Sequence, residues 1–171
     1  MRDNSWLKNQ LNFLLKKYFL EVPITNPIEI KFGREAKYRF GSIKLIKGTT
    51  GIKSITRITS FLRNKAHGTR GTLTARDTLD RKVPQKSIIT ITSMFAKDSV
   101  PTSVVRYTIS HELCHYAHGF SSSNKKLFEH PHHGGIVNRE LESRGADELI
   151  HVFKKWLKNY RKKILAGRIS V

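Results

Sequence analysis

Apolar positions recur first at helical spacing. Leu7, Leu11, Leu14, Leu15 and Tyr18 mark one face of an amphipathic helix over residues 4–20, which ends before Val22-Pro23. Lys16-Lys17 interrupts the stretch, so it reads as a helix packed on a core and not as a signal peptide. The period then changes to two. Residues 28–32 alternate, residues 37–46 resemble a second strand, and beyond the Gly48–Gly51 turn residues 52–59 and 72–76 continue a predicted small twisted sheet, mainly antiparallel. Residues 64–71 read as a basic loop, with His67 an ordinary loop histidine. Ile88 to Thr92 is a β-branched run typical of a buried strand.

Helical spacing returns after Asp98-Ser99-Val100-Pro101, which offers polar capping candidates and a proline suited to a first turn. Val104, Val105, Thr108 and Ile109 carry a helix of about 17 residues toward Gly119, a glycine placed to close it. Residues 136–146 are also predicted helical. In the last segment Leu149, Val152, Phe153, Trp156, Tyr160 and Ile164 form a stripe, with Lys154, Lys155, Lys158, Arg161, Lys162 and Lys163 on the other side. The aromatic residues follow that stripe, which assigns them to the core and not to base stacking.

Chemistry enters with His111-Glu112-Leu113-Cys114-His115, near the end of the second long helix. Residues four apart lie one above the other, so both imidazoles can hold one Zn²⁺ while Glu112 reaches a water at the metal as general base. A catalytic zinc takes three protein ligands and keeps one position open, so a third donor is needed from beyond Gly119. His118 lies about 10 Å along the axis from His111, too far for one ion, and reads as a supporting or solvent-facing residue. A metzincin would need glycine and histidine where His118 and Ser121 stand, which excludes that subclass. The remaining donors are His130, His132 and His133, or, in a gluzincin-type arrangement, Glu140 or Glu142.

Charge adds a partner. Lys and Arg number 32 against 13 Asp and Glu, a net charge of +19. Between Lys37 and Lys97 the only acids are Asp77 and Asp80, a bias that suits nucleic acid better than a merely solvated surface, which carries both signs. The length of 171 residues suits one domain over 1–171, with 148–171 a basic C-terminal helix. One cysteine, Cys114, precludes an intrachain disulfide or a zinc ribbon and fits a cytoplasmic or nucleoid-associated setting. No apolar run approaches a membrane span, so no membrane partner is expected.

In these features the chain resembles the SprT-like metalloproteases. The resemblance rests on His111-Glu112-x-x-His115 followed, eighteen residues later, by His133-Gly134-Gly135-Ile136-Val137, together with Arg39-Phe40-Gly41-Ser42, residues 89–93 and the Val105–His115 approach. It covers roughly residues 1–150, although only the His-Glu-x-x-His core is specific. Ile136 and Val137 stand where that family carries an aromatic residue. The likeness implies an α+β zincin-like domain: an N-terminal helix, a small sheet, the active-site helix and C-terminal helices. It also implies Zn²⁺ on His111, His115 and His133, Glu112 as catalytic base, and protein substrates attached to DNA. In zincins the peptide pairs with an edge strand, for which residues 88–93 are the expected candidate. The alternatives are a gluzincin-type peptidase without a DNA role, or a non-catalytic nucleic-acid-binding module that keeps zinc for stability.

Overall fold

The structure is a computed structural model that describes residues 1–47 and 85–167. All of these except the two that border the gap, 47 and 85, fall in one compact unit. Among the described residues the architecture is α+β, with four α-helices and a three-stranded mixed sheet. The helices are α1 (Asn4–Tyr18), α2 (Thr102–Ala117), α3 (Ile136–Ser143) and α4 (Asp147–Leu165). The strands are β1 (Ile28–Phe32), β2 (Gly41–Ile46) and β3 (Lys86–Ile91). The strands expected at 52–59 and 72–76, the loop at 64–71 with His67, and most of the basic residues between Lys37 and Lys97 lie outside the described residues.

Helix α1 starts where the Asp3 carboxylate accepts a hydrogen bond from the Trp6 backbone N–H at 2.7 Å, a side-chain cap on an otherwise orphaned donor. It buries Leu7, Leu11 and Leu14. The helix stops at Tyr18, two residues short of expectation. Arg144 donates to the Tyr18 carbonyl at 2.8 Å, and its guanidinium lies 4.7 Å from the ring centre of Phe19, which turns inward and is buried.

Sheet order corrects two expectations. The order is β1-β3-β2, with β1 parallel and β2 antiparallel to β3, so the sheet is mixed and not mainly antiparallel among the described strands. Residues 88–93 were expected to offer an edge. Instead β3 is central, its backbone groups committed to neighbours on both sides, with Ser87, Ile89 and Ile91 buried. A β-branched run with one fully buried face stabilises a central position, whereas an exposed edge usually carries more charge. Strand β2 begins only at Gly41, because residues 37–40 leave the ladder after the Phe40 carbonyl accepts from the Thr92 N–H at 2.9 Å.

Helix α2 crosses this sheet, and eleven of its sixteen residues are buried. Pro101 occupies its N-cap with no side-chain cap, while Asp98 pairs instead with the Met1 amino group at 3.1 Å and with Arg2 at 3.8 Å. Leaving the helix, Gly119 takes φ +77°, and a Cβ there would meet the Lys125 carbonyl oxygen at 2.5 Å. Only glycine fits this turn. Helices α3 and α4 close the core beside α2 with Ile136, Val137, Leu141, Leu149 and Ile150. No helix among the described residues is long and apolar enough to cross a membrane.

Candidate functional site

Helix α2 places His111 and His115 one turn apart, and the segment between α2 and α3 brings His132 to them. One ring nitrogen from each of the three lies within 4.8 Å of the others, close enough to bind a metal ion. The His111 and His115 rings stand edge to face at 4.8 Å, His115 and His132 likewise at 4.6 Å, and His111 and His132 are stacked at 5.3 Å.

The histidine that the structure brings to this pair is His132, and not His133, the residue implied by the family resemblance. His133 opens a 3-10 turn (His133–Gly135) that leads into α3, and its exposed side chain does not join the trio. His132 precedes that turn, whereas His133 belongs to it. His130 is exposed beside Glu129. Glu142 is exposed on α3, and Glu140 is engaged elsewhere: Arg144 grips it at 2.6 and 2.9 Å, and His118 Nε2 stands 3.6 Å from it. His118 is buried with Phe128 edge-on to its ring at 4.8 Å, so it is neither a ligand nor solvent-facing.

The donor set suits a metal such as Zn²⁺. Burial, reinforced by His132, lowers the His111 pKa to about 4, and burial with the neighbouring imidazoles lowers that of His115 to about 3. Both rings are then neutral near pH 7, with lone pairs free to bind a cation. An ion at about 2.0–2.1 Å from each nitrogen needs them roughly 3.3 Å apart, so the rings need close by no more than about 1.5 Å. Nδ1 of His115 is enclosed and has no hydrogen-bond partner, which leaves Nε2 as the nitrogen available to a metal. Packing, including Phe120 edge-on at 6.1 Å, orients this ring in place of the usual carboxylate or carbonyl.

Glu112 is buried beside the trio, and burial raises its pKa to about 7 against the opposing pull of Arg39 and of the Ile43 backbone amide. That value suits a group that both accepts and returns a proton near neutrality. The approach is tight: a Cβ on Gly41 would lie 2.8 Å from Glu112 Oε1 and 2.8 Å from Thr108 Cγ2. Cleft and helix come this close only because position 41 has no side chain.

The trio and Glu112 open into a cleft of about 470 Å³, bordered by Arg39, Gly41–Ile43 of β2 and Ser121. Strand β2, not β3, is the strand at this cleft. A second hollow of about 220 Å³ shares Arg39, Gly41, His111 and Glu112 with the first.

Sequence reasoning passed over the residues that hold the third histidine's segment. Buried Asn26 donates from Nδ2 to Ser87 Oγ at 2.7 Å and accepts at Oδ1 from the Ser123 N–H at 3.0 Å. Ser87 Oγ donates to the Ser121 carbonyl, Ser121 Oγ to the Ile43 carbonyl at 3.2 Å, and Ser122 Oγ to the Tyr116 carbonyl at 2.7 Å. The only sequence signal was Ser121-Ser-Ser-Asn124, a polar tract that reads as a short loop. Comparison of the chain with protein-family models, curated proteins and solved structures gave no match.

Proposed function

We propose that this chain is a zinc-dependent endopeptidase that uses Glu112 as general base and acts on proteins associated with nucleic acid. The observation that carries the reading is the convergence of His111, His115 and His132 beside the buried Glu112 carboxylate. A zinc ion bound there supplies Lewis acidity, lowering the pKa of water and polarising a scissile carbonyl. Glu112 takes the proton of the attacking water and passes it to the departing amine, a transfer favoured by its pKa of about 7. Arg39, bordering the same cleft, places a positive charge beside that carboxylate.

Strand β2 is the strand along which an extended peptide would lie, since Gly41, Ser42 and Ile43 border the cleft. Among the described residues β2 pairs only with β3. The nucleic-acid partner is supported by the net charge of +19 and by the exposed basic face of α4, which carries Lys154, Lys155, Lys158, Arg161, Lys162 and Lys163. The SprT-like resemblance implies the same substrate class.

Glu112→Gln is the direct test. The variant should bind zinc one to one, as read by elemental analysis, while cleavage of a protein substrate falls by roughly 10²–10⁴-fold. Unchanged cleavage, or native protein that takes up no metal, defeats the proposal. Affinity for DNA should fall steeply with salt, and salt-indifferent affinity removes the nucleic-acid half of it.

A further inference from the structure

The second hollow differs in character from the cleft it adjoins. Its walls include Tyr107 and Phe153, stacked at 4.1 Å, and Phe40, edge-on to Phe153 at 6.1 Å. Two of the three hydroxyls that line it, those of Tyr107 and Thr108, are already used. Tyr107 donates to Asn138 Oδ1 at 3.0 Å and Thr108 to the Val104 carbonyl at 3.1 Å, while the Thr108 methyl faces Gly41. The hollow therefore offers ring faces, ring edges and a methyl group, bordered by Arg39 and, on the side of the metal cleft, by His111 and Glu112.

Its dimensions select the occupant. An apolar cavity of about 150 Å³ admits a benzene ring. The volume here, about 220 Å³, therefore has room for a phenyl or phenol group. Aromatic walls favour an aromatic guest through stacked and edge-on contacts, and the Arg39 guanidinium favours a ring over an aliphatic chain. Phe40 is braced by Phe95 at 5.5 Å and by Trp156 at 5.5 Å, so the walls are formed before a guest arrives.

We propose that this hollow is the specificity subsite of the peptidase, and that it takes a phenylalanine or tyrosine side chain from a residue flanking the scissile bond. The assignment rests on the peptidase reading for its role, and on continuity with the metal cleft through His111, Glu112 and Gly41 for its place.

The test uses acetylated octapeptides of Ala, Ser and Gln that carry either one central Phe or Ala in its place. Zinc-loaded protein should cleave the Phe peptide next to that residue, by mass spectrometry, with kcat/KM at least tenfold above the Ala peptide. Phe153→Leu should collapse the Phe-to-Ala ratio several-fold. Tyr38→Ala, at the exposed border of the hollow, gives a second variant that leaves the core intact. Calorimetric binding of both peptides to zinc-loaded Glu112→Gln separates the two layers of the argument. Preferential binding of the Phe peptide supports the subsite even where native protein cleaves neither, an outcome that overturns the peptidase reading alone. Equal binding, or none, overturns the subsite, and cleavage without side-chain preference does the same while leaving the peptidase standing.

Discussion

Helix α2 holds His111 and His115 by burying nearly everything around them, while hydrogen bonds hold the start of the segment that carries His132. The first two imidazoles ride on a helix whose Val104, Val105, Ile109 and Leu113 are almost completely enclosed. His132 is exposed, and its segment is tied down through Asn26, Ser87 and three consecutive serines. Apolar packing fixes a ligand to within a rotamer, because interiors are close-packed and yield little. A polar network fixes the path of a segment and leaves its far end room to adjust. The cleft thus has a rigid wall and a wall that can close on an ion, which fits rings that must still draw together to coordinate one.

The comparison breaks most sharply on the ligands themselves. If metal binding is worth about 10–16 kcal/mol shared among three donors, losing one costs on the order of 4 kcal/mol, roughly a thousandfold in affinity. His115→Ala and His132→Ala should each show that loss by competition with a chromophoric chelator. His133→Ala should change affinity by less than about threefold, the order expected of a surface substitution. A thousandfold loss at His133 with none at His132 would restore the arrangement that the family resemblance implied.

On the rigid wall, Gly41→Ala forces a methyl against Glu112 Oε1 and Thr108 Cγ2, both 2.8 Å from the new Cβ. Glu112 has to move, and a displacement of about 1 Å at a catalytic group costs on the order of 10²-fold in rate. Metal affinity should stay within a fewfold, since neither imidazole is touched. Equal loss of metal and rate would mean that the strain reaches α2 itself.

On the adjustable wall, Asn26→Ala removes a buried amide and strands Ser87 Oγ and the Ser123 N–H without these partners. Stability should fall by about 1–3 kcal/mol in urea denaturation, and zinc affinity by roughly tenfold, because the segment loses its anchor. Leu113→Ala is the control. It should cost about 2–5 kcal/mol of stability while the folded fraction keeps its affinity. If Asn26→Ala behaves like Leu113→Ala, the network is only structural.

The same division governs how much could be read from the sequence. The helices were legible because their stripes are local: Leu7, Leu11 and Leu14, or Leu149, Phe153 and Trp156, repeat within one element. His111, Glu112 and His115 were legible for the same reason, since four-residue spacing on a helix fixes relative direction. No period governs residues 128–135, so a choice among His130, His132 and His133 depended on the path of an irregular segment. Nor could local pattern show that residues 86–91 sit between two partners, one 59 residues upstream at Ile28↔Ser87 in register. The parts played by Asn26, Ser87 and Gly41 were not legible, because each matters through a partner more than sixty residues away, and a single sequence carries no mark of such pairs.

The smallest expected effect lies behind the adjustable wall, at Glu140. Beside His118, gripped by Arg144 and opposed by the cost of partial burial, its carboxyl is held down to about 2. A folded pKa below the ordinary one means that the charged form is favoured by folding, so this contribution is complete above the ordinary value of 4.5 and is lost as pH falls toward about 2. Glu140→Gln should therefore be less stable than the native chain by about 2 kcal/mol at pH 7, after allowance for its partial exposure. That gap should narrow as pH falls from about 5 toward about 2, the range in which the native carboxylate gives up its advantage. Urea midpoints across that range read it directly, and a gap that stays constant means that the pair with Arg144 contributes nothing through charge. Zinc affinity should not move, because Glu140 stands outside the three imidazoles. A shift there would extend the metal's support to α3, making this wall as tightly coupled to the ion as the helix opposite.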